Sequence, residues 1–328
     1  MMSWQLNKKY YPLLVTIGLF ILMFLYGSIN YTGFASPQVV LNLFIDNAFL
    51  IIVAVGMTFV ILSGGIDLSV GSVIALTSMV TAILLQANVS PVIVIPAALL
   101  IGPILGVMMG SLIHFYNLQP FIVTLAGMFL ARGLSYVISV ETIAVSDPFF
   151  QFMANTKIYF GNFYISISVL IALAIVAAAI FLAHYTKFGR NVYAIGGNEQ
   201  SALLMGLPVG RTKILIYTLS GFCSSLAGLV FTFYMLSGYG LHANGLELDA
   251  IAAVVIGGTL LTGGVGYVAG SVVGVLILGI IQTLIVFEGT LSSWWTKIAI
   301  GVLLLLFIVF QRLSSVRGRS KSQTVTQH

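Results

Sequence analysis

A few polar side chains stand inside otherwise apolar stretches, and these are the positions at which this sequence could do chemistry. Asn42 and Asp46 are four residues apart, so they share one face of a helix, with Asn47 beside them. Amide and carboxylate groups on a water-facing stripe can bind hydroxyl-rich molecules without the desolvation cost of facing lipid. Interfacial hydration or helix packing is the competing reading. In Gly64-Gly65-Ile66-Asp67-Leu68-Ser69 the glycines permit a sharp break, and Asp67 or Ser69 can cap the helix that follows. A capping role is favoured over ligand contact, because the segment is expected near a membrane surface. At greater depth a broken helix would line a cavity or be buried in protein. Arg132 lies about 16 Å along its helix at the standard rise, too deep for easy snorkelling. It is expected to face protein or water and to pair with an anion, of which Asp46 is one choice.

Other chemistries lack their residues. There is no G-x-x-x-x-G-K-[ST] phosphate loop, no H-E-x-x-H zinc motif and no G-x-S-x-G nucleophile turn. The histidines at 114, 184, 242 and 328 are scattered, and the lone Cys223 excludes both an intrachain disulfide and a cysteine-built metal site. Nothing in the chain points to a cofactor, a metal or a catalytic residue, and any ATP use must come from another subunit.

The elements that position these residues follow from composition. Of 328 residues 59% are hydrophobic and 6% charged, whereas soluble domains carry about a quarter charged residues. The apolar runs match the ~20 residues a helix needs to cross a bilayer and lack the alternation of a barrel strand. The fold class expected is an all-α polytopic membrane protein, one transmembrane domain over 1–328. About ten spans are placed near 11–29, 39–62, 70–86, 92–114, 121–140, 164–184, 214–236, 249–262, 268–287 and 294–311. Lys8 and Lys9 before Pro12–Gly27 resemble a signal peptide, but without a small-residue cleavage pattern the segment reads as a retained first span.

With the N-terminus in the cytoplasm, Lys8, Lys9, Lys187, Arg190, Arg211, Lys213, Arg312, Arg317, Arg319 and Lys321 fall inside, and only Lys157 and Lys297 outside. That bias fixes the expected orientation, with both termini cytoplasmic in a bacterial inner membrane. The net charge of +5 then faces anionic lipid rather than nucleic acid. Two long connections remain, an external one at 141–163 and a cytoplasmic one at about 185–213, together with a flexible tail at about 312–328. Trp294, Trp295 and the aromatics Phe149, Phe150, Phe152, Tyr159, Phe160, Phe163 and Tyr164 read as interfacial anchors. An internal echo is also present: Leu62-Ser63-Gly64-Gly65-Ile66 with Gly71-Ser72-Val73 recurs at a constant offset as Leu261-Thr262-Gly263-Gly264-Val265 with Gly270-Ser271-Val272.

Four ordered blocks carry a resemblance over about residues 39–312. They are Gly56–Leu62 running into Ser63–Ser72, Gln119–Leu125 with Arg132-Gly133, Tyr193–Glu199, and Leu248–Thr259. Together they resemble the permeases of ribose-type sugar ABC importers, and within that family the galactofuranose branch. The resemblance implies a translocation subunit working by alternating access, with galactofuranose or a related monosaccharide as cargo. It implies as partners a second permease, identical or homologous, a cytoplasmic ATPase and a periplasmic sugar-binding protein. It also makes 185–213 the loop that couples to the ATPase, with Gly189, Arg190, Asn191, Gly196, Gly197, Asn198, Glu199, Ala202 and Gly206 as its candidates. Here Ala202-Leu203-Leu204-Met205-Gly206 stands where relatives commonly have an alanine-arginine-leucine-serine-glycine run, so the detailed ATPase contact differs. The alternatives are an ion-coupled sugar transporter and, with less support, a membrane-embedded lipid enzyme.

Overall fold

Residues 11–292 and 294–325 are described by a computed structural model. Helices occupy every predicted span. In chain order they are α1 (Tyr11–Asn30), α2 (Pro37–Asp46), α3 (Ala48–Leu62), α4 (Val70–Gln86), α5 (Pro91–Phe115), α6 (Pro120–Ile138), α7 (Pro148–Asn155), α8 (Ile167–Tyr185), α9 (Lys187–Gly197), α10 (Glu199–Leu204), α11 (Val209–Met235), α12 (Leu246–Ile256), α13 (Val268–Glu288) and α14 (Trp294–Val325). Prolines at the first turn start α2, α5, α6 and α7, where a missing N–H costs no hydrogen bond. Asp147 caps α7, and Gly289, in the left-handed region, ends α13.

The helices do not all cross in the same way. Among the described residues six are long and apolar enough to span a bilayer, or seven if α2 and α3, bent by 60° at Asn47, count as one span. Helix α4 and the apolar part of α14 are shorter. Helix α12, expected as a full span, has 11 residues, about 16 Å at the helical rise, and so reaches only halfway through a ~30 Å core. The connections also carry structure. The 141–163 segment holds α7, strand β1 (Ile143–Ala144), and β2 (Lys157–Phe160), which pairs antiparallel with β3 (Phe163–Ser166). Strand β1 pairs with β4 (Ser237–Gly238). The 185–213 segment forms α9 and α10. The polar segment expected as a tail continues α14 to Val325, with no proline to stop it; residues 326–328, like Lys8 and Lys9, lie outside the described residues.

Helix α11 is the axis of the packing and touches α5, α3 and α4. Every residue of α3 except Phe49 is buried. Lipid gives apolar helices no hydrophobic reason to associate, so close backbone approach has to supply the attraction. The stripe Gly102, Gly106 and Gly110 on α5 supplies it. A Cβ built on Gly102 would lie 1.8 Å from the Gly221 carbonyl oxygen, and one on Gly106 would lie 2.3 Å from that of Tyr217. We expect Gly102→Leu to force α5 and α11 apart at a cost at or above the ~1–3 kcal/mol of ordinary overpacking, because backbone cannot yield as a side chain can. The thermal midpoint of the purified protein checks this. Gly18→Ala, which meets nothing within 4 Å, should leave that midpoint in place.

Candidate functional site

The end of the bundle that carries α9 and α10 is called the near end below, and the opposite end the far end. In the far half lies a cavity of about 840 Å³ bounded by α2, α3, α11, α12, α13 and α14. It brings Asn42, Asp46 and Asn47 together, and to them it adds Tyr234, Asp249, Gln282, Thr283 and Lys297. The bend at Asn47 explains how α2 presents these groups. The Asn47 side-chain amide donates to the Leu43 carbonyl at 2.9 Å, and Gly279 of α13 packs against the break so closely that a Cβ there would lie 2.7 Å from Asn47 Nδ2. The Asn42 Oδ1 accepts from Gln38 Nε2 at 2.8 Å, and the Tyr234 hydroxyl reaches Asp46 Oδ1 at 3.5 Å. Across the cavity Lys297 Nζ donates to both carboxylate oxygens of Asp249, at 2.8 and 2.6 Å. Phe49 and Phe287 add aromatic wall. A smaller cavity of about 280 Å³ lies beside it under the β2–β3 hairpin and shares Phe49 and Tyr234 with it.

Asp67 and Arg132 stand elsewhere. Asp67 accepts from the backbone N–H and hydroxyl of Ser69 and, at 2.7 Å, from the hydroxyl of Ser220. Ser220 lies about 17 Å along α11, which is about 40 Å long, so the segment that begins at the near end with Ser63 has dipped to mid-membrane depth by Asp67. Asp67 is nonetheless fully enclosed and lines neither cavity; its hydrogen bonds tie the start of α4 to α11. Arg132 has carbonyls rather than an anion as its hydrogen-bond partners: it donates to Gly240 at 2.6 Å and His242 at 2.8 Å. These carbonyls belong to the non-helical stretch before α12, which runs from beside Met79 and Ala82 on α4 down to Gly71, where a glycine Cβ would strike Ala243 and Glu247. Arg132 therefore satisfies irregular backbone inside the membrane, as hydrocarbon cannot.

At the near end the two echoed loops touch. Gly64 and Gly263 hold equivalent places in the echo and both have φ +83°. The Gly264 N–H donates to the Leu62 carbonyl at 2.8 Å. Both loops are pressed by the end of α9, where a Cβ on Gly196 would lie 1.8 Å from the Leu62 oxygen and 2.5 Å from the Gly264 nitrogen. The Tyr193 hydroxyl, pushed up to about 12 by burial and so protonated at neutral pH, donates to the Gly266 carbonyl at 2.8 Å. Of the other coupling candidates, Gly189 packs on the Ala183 carbonyl and Ala202 is buried, while Arg190 and Gly197 are exposed and Asn191 is half-buried. Asn198 caps α10 by accepting from the Ser201 N–H at 2.8 Å, Glu199 in its first turn pairs with Lys213 at 2.6 Å, and Gly206 turns the chain at φ +75°. Leu203, Leu204 and Met205 are left outward and exposed.

A family described as "Branched-chain amino acid transport system / permease component" matches residues 39–308. The ribose import permease protein RbsC of Bacillus subtilis (strain 168) is 39% identical over 91% of this chain and 92% of its own length. The chain belongs to the ribose-type ABC importer permeases. Two further relatives of this permease are the inner membrane ABC transporter permease protein YjfF of Escherichia coli (strain K12), 53% identical over 98% of each chain, and the fructose import permease protein FruG of Bifidobacterium longum (strain NCC 2705), 42% identical over 97% of this chain and 96% of its own. No solved structure matches. The ATPase of such a transporter is a separate subunit, and the permease itself is not an enzyme.

The cap at Asp67 yields a test that separates structure from path. Ser220→Ala removes the donor that reaches Asp67 from another helix. It should lower stability by about 1–3 kcal/mol and leave uptake per assembled permease unchanged. Chemical or thermal unfolding beside transport assays at matched abundance measures both, and lost uptake at unchanged stability would return Asp67 to the path.

Proposed function

We propose that this permease moves a monosaccharide, galactofuranose or a closely related sugar, by alternating access, and that the far-half cavity is where it meets the sugar. The observation carrying this is the convergence of Asn42, Asp46, Tyr234, Asp249, Gln282, Thr283 and Lys297 on one cavity, a set of acceptors and donors suited to several hydroxyls with aromatic wall for the apolar ring face. Relatives of this chain are named for sugars: fructose, ribose and allose. Polar groups gathered beside a broken helix in a transporter mark a substrate path more readily than a lipid-facing surface.

Energy enters from the near end. The exposed Leu203, Leu204 and Met205 on α10, beside Arg190 and Gly197 on α9, present the surface on which an ATPase subunit docks. Gly196 passes its movement to the 62–65 and 261–265 loops. Those loops join α3 to α4 and α12 to α13, and α2–α3, α12 and α13 are the elements that carry Asp46, Asp249 and Gln282 into the cavity. The near end is cytoplasmic in this reading, since Lys187, Arg190, Arg211 and Lys213 gather there while Lys157 and Lys297 sit at the far end. A periplasmic binding protein then delivers sugar to the far end, and a second permease completes the path.

Reconstitution with the ATPase, the second permease and the binding protein tests this. Asn42→Ala and Asp46→Ala should each cut sugar uptake several-fold while the complex assembles, whereas Gly196→Leu should uncouple it: sugar-loaded binding protein stimulates ATP hydrolysis less and import falls. Normal uptake in both cavity variants would move the sugar elsewhere, and transport without ATPase stimulation would favour an ion-coupled carrier. The native Cys223 is buried, so a single introduced cysteine reports orientation cleanly. Leu204→Cys should react with a membrane-impermeant maleimide only in inside-out vesicles; labelling in intact spheroplasts would reverse the orientation.

A further inference from the structure

The charges around the far-half cavity do not balance, and the way they fail to balance has a consequence for what can enter. Its lining holds two carboxylates and one ammonium: Asp46, Asp249 and Lys297. Lys297 is its sole cation among the described residues. Its ammonium is held by both oxygens of Asp249, so its charge is cancelled at short range and two of its three donors are spent. The start of α12 would otherwise offer a positive helix end to the cavity, but Glu247 and Asp249 occupy its first turn and offset that dipole. Among the described residues Asp46 has no cationic partner; its hydrogen bond is from the Tyr234 hydroxyl. The cavity therefore presents hydroxyl partners with a net charge of about −1 and no free cation.

We propose that the Asp249–Lys297 pair is a specificity filter that makes this cavity accept uncharged polyols and reject sugar acids and sugar phosphates. The proposal rests on the reading of the cavity as the sugar site. Lys297 keeps one donor for a sugar hydroxyl and Asp249 keeps acceptor capacity, so both can bind a neutral ligand. An anionic sugar gains no cation and meets the field of Asp46. At an effective dielectric of about 20, an uncompensated charge several ångströms away changes affinity on the order of tenfold or more. An ammonium released from its carboxylate would reverse that preference, since the same lysine would then seat an anion.

The probes are D-galactose and D-galacturonate, which differ by a carboxylate at one carbon. Saturation-transfer NMR on the full chain in lipid nanodiscs reads binding of each, with the thermal midpoint as the folding control. The wild type should bind galactose at least about tenfold better than galacturonate. Asp249→Asn should shift that ratio toward galacturonate on the order of tenfold, because it frees Lys297 and removes a negative charge. Lys297→Met should shift the ratio the other way. The double variant Asp249→Asn/Lys297→Met has the wild-type net charge and no cation, so it should return to excluding galacturonate, and it also answers any concern that one half of the pair left alone disturbs the fold. Equal binding of both probes by the wild type overturns the filter, as does a ratio that stays constant across folded variants. In both of those results the cavity remains a sugar site. Absence of galactose binding that Asp46→Ala can reduce overturns the sugar-site reading and the filter with it.

Discussion

Backbone that leaves a helix at mid-membrane depth has no water to bond to, and most of this protein's architecture is the answer to that constraint. Two segments are irregular there: the end of the 63–69 segment before α4, and the stretch between β4 and α12. The first is closed by Asp67, which takes donors from Ser69 and from Ser220 on α11. The second is closed by Arg132, which reaches from α6 to two of its carbonyls. Both ionisable groups hydrogen-bond to the irregular chain or to what anchors it. The benefit of the irregularity lies one step away. Because α12 begins in mid-membrane, Asp249 in its first turn reaches the cavity, which a helix running through from the far surface would place differently.

Close packing makes those breaks tolerable. The α5–α11 contact is backbone against backbone at Gly102 and Gly221, and it fixes the helix on which Ser220 sits. Asn47 uses its own side chain to satisfy a carbonyl at the α2–α3 bend, and Gly279 lets α13 fill the angle. Several of the cavity's polar groups thus stand on elements placed by close backbone contacts.

Much of this was legible in the sequence, for definite reasons. A helix falls within each of the ten expected spans, since lipid demands apolar length, but hydropathy could not tell a half-helix from a span: among the described residues six or seven helices are long enough to cross, and α12 is followed by Gly257, Gly258 and an apolar run to Leu261, which reads as continuous. The shared face of Asn42 and Asp46 followed from helical spacing, and both line the cavity. Arg132 was visible as an intramembrane ionisable group, whereas Asp67 read as a surface cap; Ser220 and the carbonyls of Gly240 and His242 are remote in sequence, which no pattern of side chains reveals. The Gly102, Gly106 and Gly110 stripe is a signal at helical spacing that went unused. Lys297 offered another. It is one of the few lysines on the side where basic residues are scarce, and a charge placed against that bias asks for a partner; Asp249 is that partner, supplied by a different helix.

The internal echo takes on a physical meaning from the same contacts. Its two loops lie at the same end of the bundle, share the left-handed glycine at Gly64 and Gly263, and are joined by the bond from Gly264 to Leu62. The helices behind them are joined as well, by the hydroxyl bond of 2.7 Å between Thr58 and Ser271. A single helix end, that of α9, presses on both loops through Gly196, and the missing side chain is what lets it touch the two backbones at once. Had α9 met one loop alone, a push on it would tilt α3 against α13 and shear the packing between them. Meeting both, α9 bears on the two helix pairs at once, and these are the pairs whose other ends carry Asp46 and Gln282.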